Sequence, residues 1–212
     1  MNLTILGAPG AGKGTMARLL AKHLNIPTIS TGALLRDEIG SGSDLGKEID
    51  DLISKGNFVS DEMVASLLTK RLQQPDCKNG YILDGFPRNE TQAEHLSDLG
   101  IQLEKAVLLS VPDSEIVARL AGRRECPHCR ATYHVQHNSP KVDGVCDECG
   151  ASLQVRADDV PEIITKRLAI YHKETEPLIQ YFRQKGLLSV VQGCDSVEHT
   201  VASVLQVLGV TL

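Results

Sequence analysis

The segment GAPGAGKGT, residues 7–15, constrains the possible fold more than any other stretch of the sequence. It follows the phosphate-loop pattern G-x-x-x-x-G-K-[ST] as far as Lys13, but Gly14 stands where a hydroxyl residue is expected and Thr15 comes one position late. The apolar run NLTILG leads into the loop and predicts a buried strand, whereas KGTMARLLAKHL continues with the apolar spacing of a helix. A glycine loop that joins a strand to a helix N-terminus predicts a site for phosphate.

Strand and helix patterns alternate along the rest of the chain. Buried strands are predicted in GYILDGF, KAVLLSV and LLSVVQG. Helices are predicted after Ser30 and Ser60, which we expect to act as N-caps, in DLGKEIDDLISKG with its stop at Gly56, in PDSEIVARLAGR, in a long segment bent before Pro177 and in SVEHTVASVLQVLG. This alternation predicts an α/β fold of three layers, with a central parallel sheet flanked by helices.

Composition excludes several classes of function. The chain has 212 residues, enough for one core with a small inserted module, and its formal net charge of −5 argues against general binding to nucleic acids. Aromatic residues make up only 3%, so base stacking on aromatic rings is not expected to be a main binding device. No stretch approaches the roughly 18 apolar residues of a membrane span, and no basic leader precedes the first apolar run. We therefore expect a cytoplasmic monomer that binds neither nucleic acid nor membrane.

Four cysteines form a metal-binding pattern. Cys126, Cys129, Cys146 and Cys149 give the spacing C-x2-C-x16-C-x2-C, which is that of a zinc ribbon. Four thiolates would close a tetrahedral shell and leave no position for a substrate, so the metal is expected to be structural. Zinc is the expected ion, and iron or cobalt would also suit such a site. The surrounding residues 122–159 are polar and lack helical periodicity, which predicts an insertion between two helices of the main domain.

The remaining cysteines and the nearby histidines are expected to stay outside this site. His128, His134 and His137 are candidate ligands by residue type, but four cysteines already complete the shell. We therefore expect these histidines to lie on the surface or to form hydrogen bonds. Cys77 and Cys194 are predicted to be free thiols.

The segment DGFPR, residues 84–88, indicates a second phosphate site. It follows a predicted strand and so lies at the carboxyl edge of the sheet, where open α/β folds bind their ligands. Asp84 can orient hydrated Mg²⁺, and Arg88 can hold a phosphate in a fork. STGALLR, residues 30–36, adds a second arginine and a small hydroxyl after another strand. With no hydroxyl directly after Lys13, Mg²⁺ is expected to be held by phosphates, water and Asp84.

The motifs GAPGAGKGT, STG, DGFPR, Gln92, GRR and RADD together resemble those of the adenylate kinases, a family of nucleoside monophosphate kinases. The resemblance covers the whole chain, and some bacterial members carry a four-cysteine zinc lid in the place of residues 122–159. It implies a P-loop fold and the reversible Mg²⁺-dependent reaction ATP + AMP = 2 ADP, which serves adenine nucleotide homeostasis. It also implies a core of residues 1–29, 60–121 and 160–212, an AMP-binding segment of residues 30–59, and a zinc-binding lid of residues 122–159.

The resemblance also assigns roles to particular residues. For ATP it implies a phosphate cradle and flanking contacts, formed by Gly10, Ala11, Gly12, Lys13, Gly14, Thr15, Arg119, Arg123, Thr132, Tyr133 and the backbone of Asp195. For AMP it implies Thr31, Arg36, Val59, Gly85, Arg88, Gln92, Arg156 and Arg167. For the transfer itself it implies Lys13, Asp84, Arg88, Arg123, Arg156 and Arg167. Phosphoryl transfer depends on positioning and charge neutralisation, which explains an arginine-rich site in an acidic protein.

Two departures from the family pattern leave alternatives open. Ala33 stands where members often have Asp, and Asn89 stands where they often have Thr. Asn after FPR is frequent in related pyrimidine nucleotide kinases, so UMP or CMP is an alternative acceptor, although Thr31 and Gln92 match the adenine-reading positions. An alternative function of a different class is that of a nucleotide switch to which a zinc ribbon is attached as a module that binds nucleic acid or protein. That function predicts a basic module, whereas the CDEC segment is acidic.

Overall fold

The computed structural model describes residues 1–54, 59–156, 158–193 and 196–210, with the side chain of Ser54 left aside. The strands are β1 (Asn2–Leu6), β2 (Thr28–Ser30), β3 (Tyr81–Asp84), β4 (Lys105–Ser110), β5 (Arg123–Glu125), β6 (Thr132–His134) and β7 (Leu188–Gln192). Within these residues a five-stranded sheet has the order β2-β3-β1-β4-β7, and every neighbouring pair in it is parallel. The strands β5 and β6 form a separate antiparallel pair. The predicted parallel α/β sheet is therefore confirmed.

Helices cover both faces of the sheet. They are α1 (Lys13–Leu24), α2 (Thr31–Ser41), α3 (Asp44–Ser54), α4 (Asp61–Leu72), α5 (Glu90–Glu94), α6 (Asp113–Ala121), α7 (Pro161–Ile170), α8 (Pro177–Gln184) and α9 (Val197–Val207). A short 3-10 turn spans Pro75–Cys77. Ser60 caps α4 as predicted, because its hydroxyl accepts a hydrogen bond from the Met63 N–H. Ser30 is the N-cap residue of α2 as predicted and has an extended conformation, although its side chain makes no capping hydrogen bond. Gly56, where α3 is predicted to stop, lies outside the described residues.

The alternation of side chains along the strands builds two hydrophobic layers. Leu3 and Ile5 of β1 point to one face and pack with residues of α1, α6 and α9, whereas Leu6 points to the other face. On that second face Leu83 of β3 and residues of α8 complete a separate buried cluster. A parallel sheet buried on both faces is the arrangement that continuous apolar strands favour. The result is the predicted three-layer fold.

The predicted bend in the long C-terminal helix is present. The segment leaves α-helical geometry at Tyr171–Thr175, which forms a π-helical turn, and α8 begins at Pro177. The Glu176 N–H donates to the Tyr171 carbonyl, five residues back. Pro177 has no N–H to donate, so the regular ladder cannot pass through it. The turn therefore separates α7 from α8.

Residues 122–159, called the cysteine module below, lie between the end of α6 and the start of α7 and are described except at residue 157. The module contains the β5–β6 pair and a small buried cluster of Cys126, Ala131, Tyr133 and Cys146. Among the described residues, four salt bridges join it to the remaining structure: Glu148 pairs with Arg18 of α1, Arg130 pairs with Asp37 of α2, and Asp158 and Asp159 both pair with Arg167 of α7. The module therefore has its own core, and it is joined to α1 and α2 by surface charges and to α7 by the two carboxylates at its C-terminal end.

The carboxyl ends of the parallel strands meet along one edge of the sheet. The register pairs Asp84 with Ile5 of β1 on one side and with Ser30 of β2 on the other. The glycine loop, the start of α2 and the DGFPR segment therefore lie side by side. Within the described ranges, no helix is both long and apolar enough to cross a membrane.

Candidate active site

The glycine loop after β1 has a backbone that other residues would strain. Gly10 and Gly12 have φ angles of +87° and +92°, in the left-handed region. A Cβ at Gly10 would lie 2.7 Å from the Leu120 side chain of α6, so the loop can pack here only with glycine. The Lys13 ammonium donates to the carbonyls of Gly7 at 2.7 Å and Ala8 at 2.8 Å. The loop thus holds a lysine at the N-terminus of α1, as phosphate binding requires.

The pKa of Lys13 shows that charged groups from distant segments converge on this loop. Burial lowers the pKa of Lys13 to about 8, against the raising effect of the Asp84 carboxylate. The positive charges of Arg88, Arg167 and Arg123 lower this pKa further. Five of the six residues predicted to act in transfer therefore share one electrostatic field. A site with so many cations favours an anion with several charges.

Asp84 and Gly14 face each other across the gap between β3 and α1. A Cβ at Gly14 would lie 3.5 Å from the Asp84 Oδ2 atom. A serine or threonine side chain at position 14 would therefore extend toward this carboxylate. Glycine leaves that space open beside the loop, where the sequence predicts hydrated Mg²⁺. Thr15, one position later, is half-buried on α1.

The DGFPR segment and the start of α2 form one hydrogen-bonded unit. The Gly85 carbonyl accepts from the Thr31 hydroxyl at 2.9 Å and from Arg88 Nε at 2.8 Å. Gly85 has a φ of +84°, and a Cβ there would lie 2.9 Å from Thr31 Oγ1, so a side chain would displace the hydroxyl. Burial lowers the pKa of the Arg88 guanidinium. The lowered pKa means that burial disfavours the charged form of Arg88. A bound anion would offset this cost of desolvation.

Arg36 of α2 carries an unsatisfied polar group into the same region. Its Nε atom is buried and has no hydrogen-bond partner among the described residues. Burial lowers the pKa of Arg36, and the nearby positive charge of Arg156 lowers it further. Buried donors in proteins are normally paired, so this N–H is suited to an anionic oxygen.

Gln92 of α5 is buried and held at both ends of its amide. The Arg88 backbone N–H donates to Gln92 Oε1 at 2.7 Å, and Gln92 Nε2 donates to Asp61 Oδ1 at 2.5 Å. Asn89 caps α5 by accepting from the Gln92 N–H, and its amide also donates to Asp61. Val59 is half-buried, two residues before Asp61. The predicted base-reading residues therefore surround the start of α4 and of α5.

Three arginines are held by two consecutive carboxylates at the end of the cysteine module. Arg123 forms a forked pair with buried Asp159, with distances of 2.7 and 2.5 Å. Arg156 forms a forked pair with Asp158 at 2.8 Å in both bonds, and Arg167 reaches the same carboxylate at 2.9 Å. Forked pairs fix the plane of a guanidinium as well as its position. Three of the four arginines predicted to act in transfer are thus oriented by the chain itself.

Sequence reasoning assigned no role to these two acids. Asp158 and Asp159 belong to the RADD motif, in which only Arg156 had been given a function. The available signal was two adjacent acids next to a predicted anion-binding arginine, since a confined group of cations needs negatively charged partners. Asp61 was also missed, because its contact with Gln92 joins residues 31 positions apart.

The residues predicted to flank ATP are less closely gathered. Arg119 of α6 pairs with Glu115 one turn earlier and lies beside Gly193. Thr132 is half-buried on β6, whereas the Tyr133 side chain is buried in the cysteine module. Of the atoms of Tyr133, only those of the backbone are therefore placed to meet the predicted contact with ATP. Asp195 lies outside the described residues.

The four predicted metal ligands form a compact group. The sulfurs of Cys126, Cys129, Cys146 and Cys149 all lie within 4.8 Å of one another, and all four residues are free cysteines. The shortest separations, Cys126 to Cys149 and Cys129 to Cys146, are both 3.4 Å, too long for a disulfide. Sulfurs about 2.3 Å from a central ion would be spaced in this range, so the donor set fits a tetrahedral metal.

Neighbouring groups support the cysteine cluster from outside. The Tyr133 hydroxyl lies 3.5 Å from Cys146 Sγ and accepts from the Asp147 N–H at 2.8 Å. This hydroxyl lowers the pKa of the Cys146 thiol to about 6, which favours the thiolate that a metal requires. His134 Nδ1 accepts from two backbone N–H groups, a hydrogen-bonding role as expected. Cys77 is a buried free thiol in contact with Arg71, and Cys194 lies outside the described residues.

Comparison with known proteins places this geometry in a family. The sequence model of the family described as adenylate kinase matches residues 5–187. The adenylate kinase of Caldicellulosiruptor saccharolyticus is 47% identical over 99% of this chain and its own full length. Those of Acetivibrio thermocellus and Clostridioides difficile are 46% and 44% identical, over 98% and 99% of both chains. Family match and full-length similarity agree with the loop, the arginines and the cysteine cluster, and the chain belongs to the adenylate kinase family.

Proposed function

We propose that the chain catalyses the reversible Mg²⁺-dependent transfer of the terminal phosphoryl group of ATP to AMP, which yields two ADP and balances adenine nucleotides. The observation that carries this proposal is that Lys13, from the loop after β1, shares one field with Arg88, from the loop after the neighbouring β3. Each loop suits a phosphate, and adjacent strands would hold a donor and an acceptor side by side. A protein that binds a single nucleotide needs only the first loop.

On this proposal ATP extends its phosphates along residues 10–15. The glycine backbone offers N–H groups, and the N-terminus of α1 adds its positive dipole end. Lys13 would exchange its two backbone carbonyl partners for phosphate oxygens. Arg119, Thr132 and the backbones at Tyr133 and Asp195 would flank the nucleoside.

AMP would lie against the DGFPR segment and the first turn of α2. Arg88 and Arg36 are the proposed phosphate ligands, and the unpartnered Arg36 Nε supports this assignment. Thr31 and Gly85 would shape the floor of the pocket, and Val59 and Gln92 would contact the base. The buried Gln92 amide supports base recognition because hydrogen-bonding groups that are buried discriminate strongly.

The transfer would depend on positioning and on charge. Arg123, Arg156 and Arg167 are oriented by Asp158 and Asp159, so they would meet the transferring group without first having to be ordered. Loss of one such cation from a phosphoryl-transfer site typically costs on the order of 10³–10⁵ in rate. Closure of residues 122–159 over the cleft would keep water from competing with AMP as acceptor.

Two metals complete the proposal. Mg²⁺ would enter with ATP and neutralise phosphate charge, and the Asp84 carboxylate opposite Gly14 is the proposed partner of its water shell. Zinc is the proposed ion of the four-cysteine group, since it favours tetrahedral thiolate ligation; iron or cobalt are the alternatives. Its role would be to hold the cysteine module in shape.

The proposed division of labour follows the chain. Residues 1–29, 60–121 and 160–212 would form the core, residues 30–59 the AMP-binding segment and residues 122–159 the lid. The small independent core of the cysteine module and the exposed salt bridges that join it to α1 and α2 support a unit that moves as a whole about its ends.

A coupled assay with ATP and one of AMP, UMP, CMP or GMP tests the function. We expect turnover with AMP to exceed that with each other acceptor by at least about a hundredfold in kcat/KM, because buried polar groups reject mismatched bases. Comparable or faster turnover with UMP or CMP would transfer the assignment to a pyrimidine nucleotide kinase. No turnover with any acceptor would leave the binding-module alternative.

A further inference from the structure

The buried amide of Gln92 is fixed in one of its two possible orientations. A backbone N–H can only donate, so the group that faces the Arg88 N–H must be the amide oxygen. An ionised carboxylate can only accept, so the group that faces Asp61 must be the amide nitrogen. A flipped amide would set donor against donor at Arg88 and acceptor against acceptor at Asp61. The two neighbours therefore act together as an orientation lock.

Asp61 is the side-chain half of this lock and is itself held in place. Its Oδ2 atom accepts from the Asn89 amide at 3.2 Å while Oδ1 accepts from Gln92. It occupies the first position of α4, directly after the Ser60 cap, where a negative charge also suits the helix dipole. The carboxylate thus joins the start of α4 to α5 and points its acceptors at two amide nitrogens.

The locked amide keeps one unused acceptor and one unused donor. In the hydrogen bonds among the described residues, Gln92 Oε1 uses one lone pair and Nε2 uses one hydrogen. The remaining lone pair and N–H match a base that offers an amino hydrogen beside a ring nitrogen acceptor, as adenine does with N6 and N1. A 6-oxopurine offers the reverse pattern, an oxygen beside an N–H, and would require the flipped amide.

We propose that Asp61 is a positioning residue that sets the selectivity of the acceptor site for 6-aminopurine over 6-oxopurine monophosphates. This inference rests on the proposed function, since it assumes that the base of AMP meets Gln92. Asp61 acts through Gln92 and does not itself touch the substrate. Asparagine at position 61 keeps the size of the side chain but can donate as well as accept. It would therefore accept either face of the Gln92 amide and leave the Arg88 N–H as the remaining half of the lock.

The test compares Asp61→Asn with Glu62→Gln, an exposed neighbour in the same first helical turn that loses the same charge. The readouts are KM for AMP, the inhibition constant of IMP against AMP, KM for ATP and the unfolding temperature. In Asp61→Asn we expect the ratio of the IMP constant to the AMP KM to fall on the order of tenfold, as loss of one charged hydrogen bond allows. KM for ATP and the unfolding temperature should match those of Glu62→Gln.

Three outcomes would overturn the proposal: a ratio unchanged within about twofold, an equal fall in Glu62→Gln, or proportional weakening of AMP and IMP together. The last would mean that Asp61 only supports the local fold. The wild-type assay separates this failure from that of the proposed function. A wild-type chain that does not phosphorylate AMP refutes the function, whereas an active wild type with an unchanged Asp61→Asn ratio refutes only the lock.

Discussion

The cleft and the four-cysteine group of the cysteine module gather charges of opposite sign, and they differ in how those charges are neutralised. In the cleft, lysine and arginine side chains are held by groups that a substrate can replace or approach, such as the two carbonyls on Lys13 and the carboxylates on Arg123 and Arg167. In the module, four sulfurs lie within 4.8 Å, and no cationic side chain among the described residues bonds to them. We infer that the cleft is built for an anion that exchanges and the module for a cation that stays.

The largest expected effect comes from removing the central cation of the cleft. Lys13→Ala should lower kcat by a factor of about 10³ or more, since it deletes a charge aimed at the transferring phosphate. Fold and metal content should not change, because the hydrogen bonds of Lys13 among the described residues go to carbonyls of its own loop. A coupled assay, circular dichroism and metal analysis check these expectations. Lys22→Ala, at the exposed end of the same helix, is the control and should retain full activity.

Unfolding of Lys13→Ala, or release of its metal, would contradict this expectation. Either result would mean that the glycine loop is a structural element and that the two regions do not work separately.

The second effect comes from removing the cation of the module. Untreated protein should contain about one metal ion per chain, and chelation should unfold residues 122–159 because the buried cluster of four residues is too small to fold alone. Activity should fall on the order of a hundredfold as Arg123 and Arg156 lose their fixed positions. Far-UV circular dichroism should show that the parallel sheet remains.

Proteolysis and a cysteine control sharpen this test. New cleavage by trypsin should map to the module, whereas Cys77→Ser, which changes a cysteine outside the cluster, should keep both metal and activity. A metal-free chain with a protected module and unchanged activity would contradict the structural role of the ion.

The two CxxC turns of the module differ in backbone strain, because one of them carries the residue that forms a salt bridge to α2. The Arg130 N–H donates to the Cys126 carbonyl and the Gly150 N–H to the Cys146 carbonyl, so the two turns have the same hydrogen bond. Both residues are left-handed, with φ of +63° and +74°. Glycine adopts the left-handed conformation without a steric cost, whereas an L-residue is disfavoured by about 1 kcal/mol. Arg130 accepts this strain and places its guanidinium 2.9 Å from Asp37 of α2.

Substitutions at the two turns should therefore change the stability of the module by amounts that differ in sign or size. Gly150→Ala should lower the stability of the module by about 1 kcal/mol, because alanine takes on the strain. Arg130→Gly should lower it less or raise it, since relief of strain offsets a salt bridge whose partners are exposed and which is worth at most about 1 kcal/mol. The stability of the module in each variant is measured as the resistance of its bound metal to a competing chelator. Equal losses in the two variants would show that the strain argument is wrong.

The sequence revealed those parts of the site that depend on local spacing. The glycine loop and the CxxC pairs carry their geometry within a few residues, so both were predictable. The pairing of Arg123 with Asp159 and of Gln92 with Asp61 was not, because it depends on how separate segments meet. Tyr133 is an intermediate case: neighbours on a strand point to opposite faces, so Thr132 and Tyr133 cannot both direct side chains to the cleft. That rule could not be applied, because no strand was predicted at β6.

The smallest effect concerns the two helical segments on either side of the cysteine module, called the stems: α6 before it, and α7 with the π-helical turn Tyr171–Thr175 after it. His172, in the π-helical turn after α7, lies 2.8 Å from Glu176 and 2.9 Å from Asp113 at the start of α6. Both carboxylates, that of Glu176 first, raise the pKa of His172 above its ordinary value of 6.5. The resulting stabilisation is complete below about pH 6.5 and is lost as the pH rises through the folded-state pKa. Since these groups are nearly half exposed, it should be under about 1 kcal/mol.

The measurement is the unfolding temperature of wild type and His172→Asn from about pH 6 to pH 9. The wild type should be the more stable at the acidic end, and the difference should vanish at the alkaline end. His23→Asn is the control, because the His23 ring bonds to the Leu19 carbonyl and to no carboxylate among the described residues. A constant difference across this range would mean that His172 stabilises the stems by packing and not by charge. The stems would then be stabilised by packing, as the apolar core is, and not by charge pairs, as the two regions that they connect are.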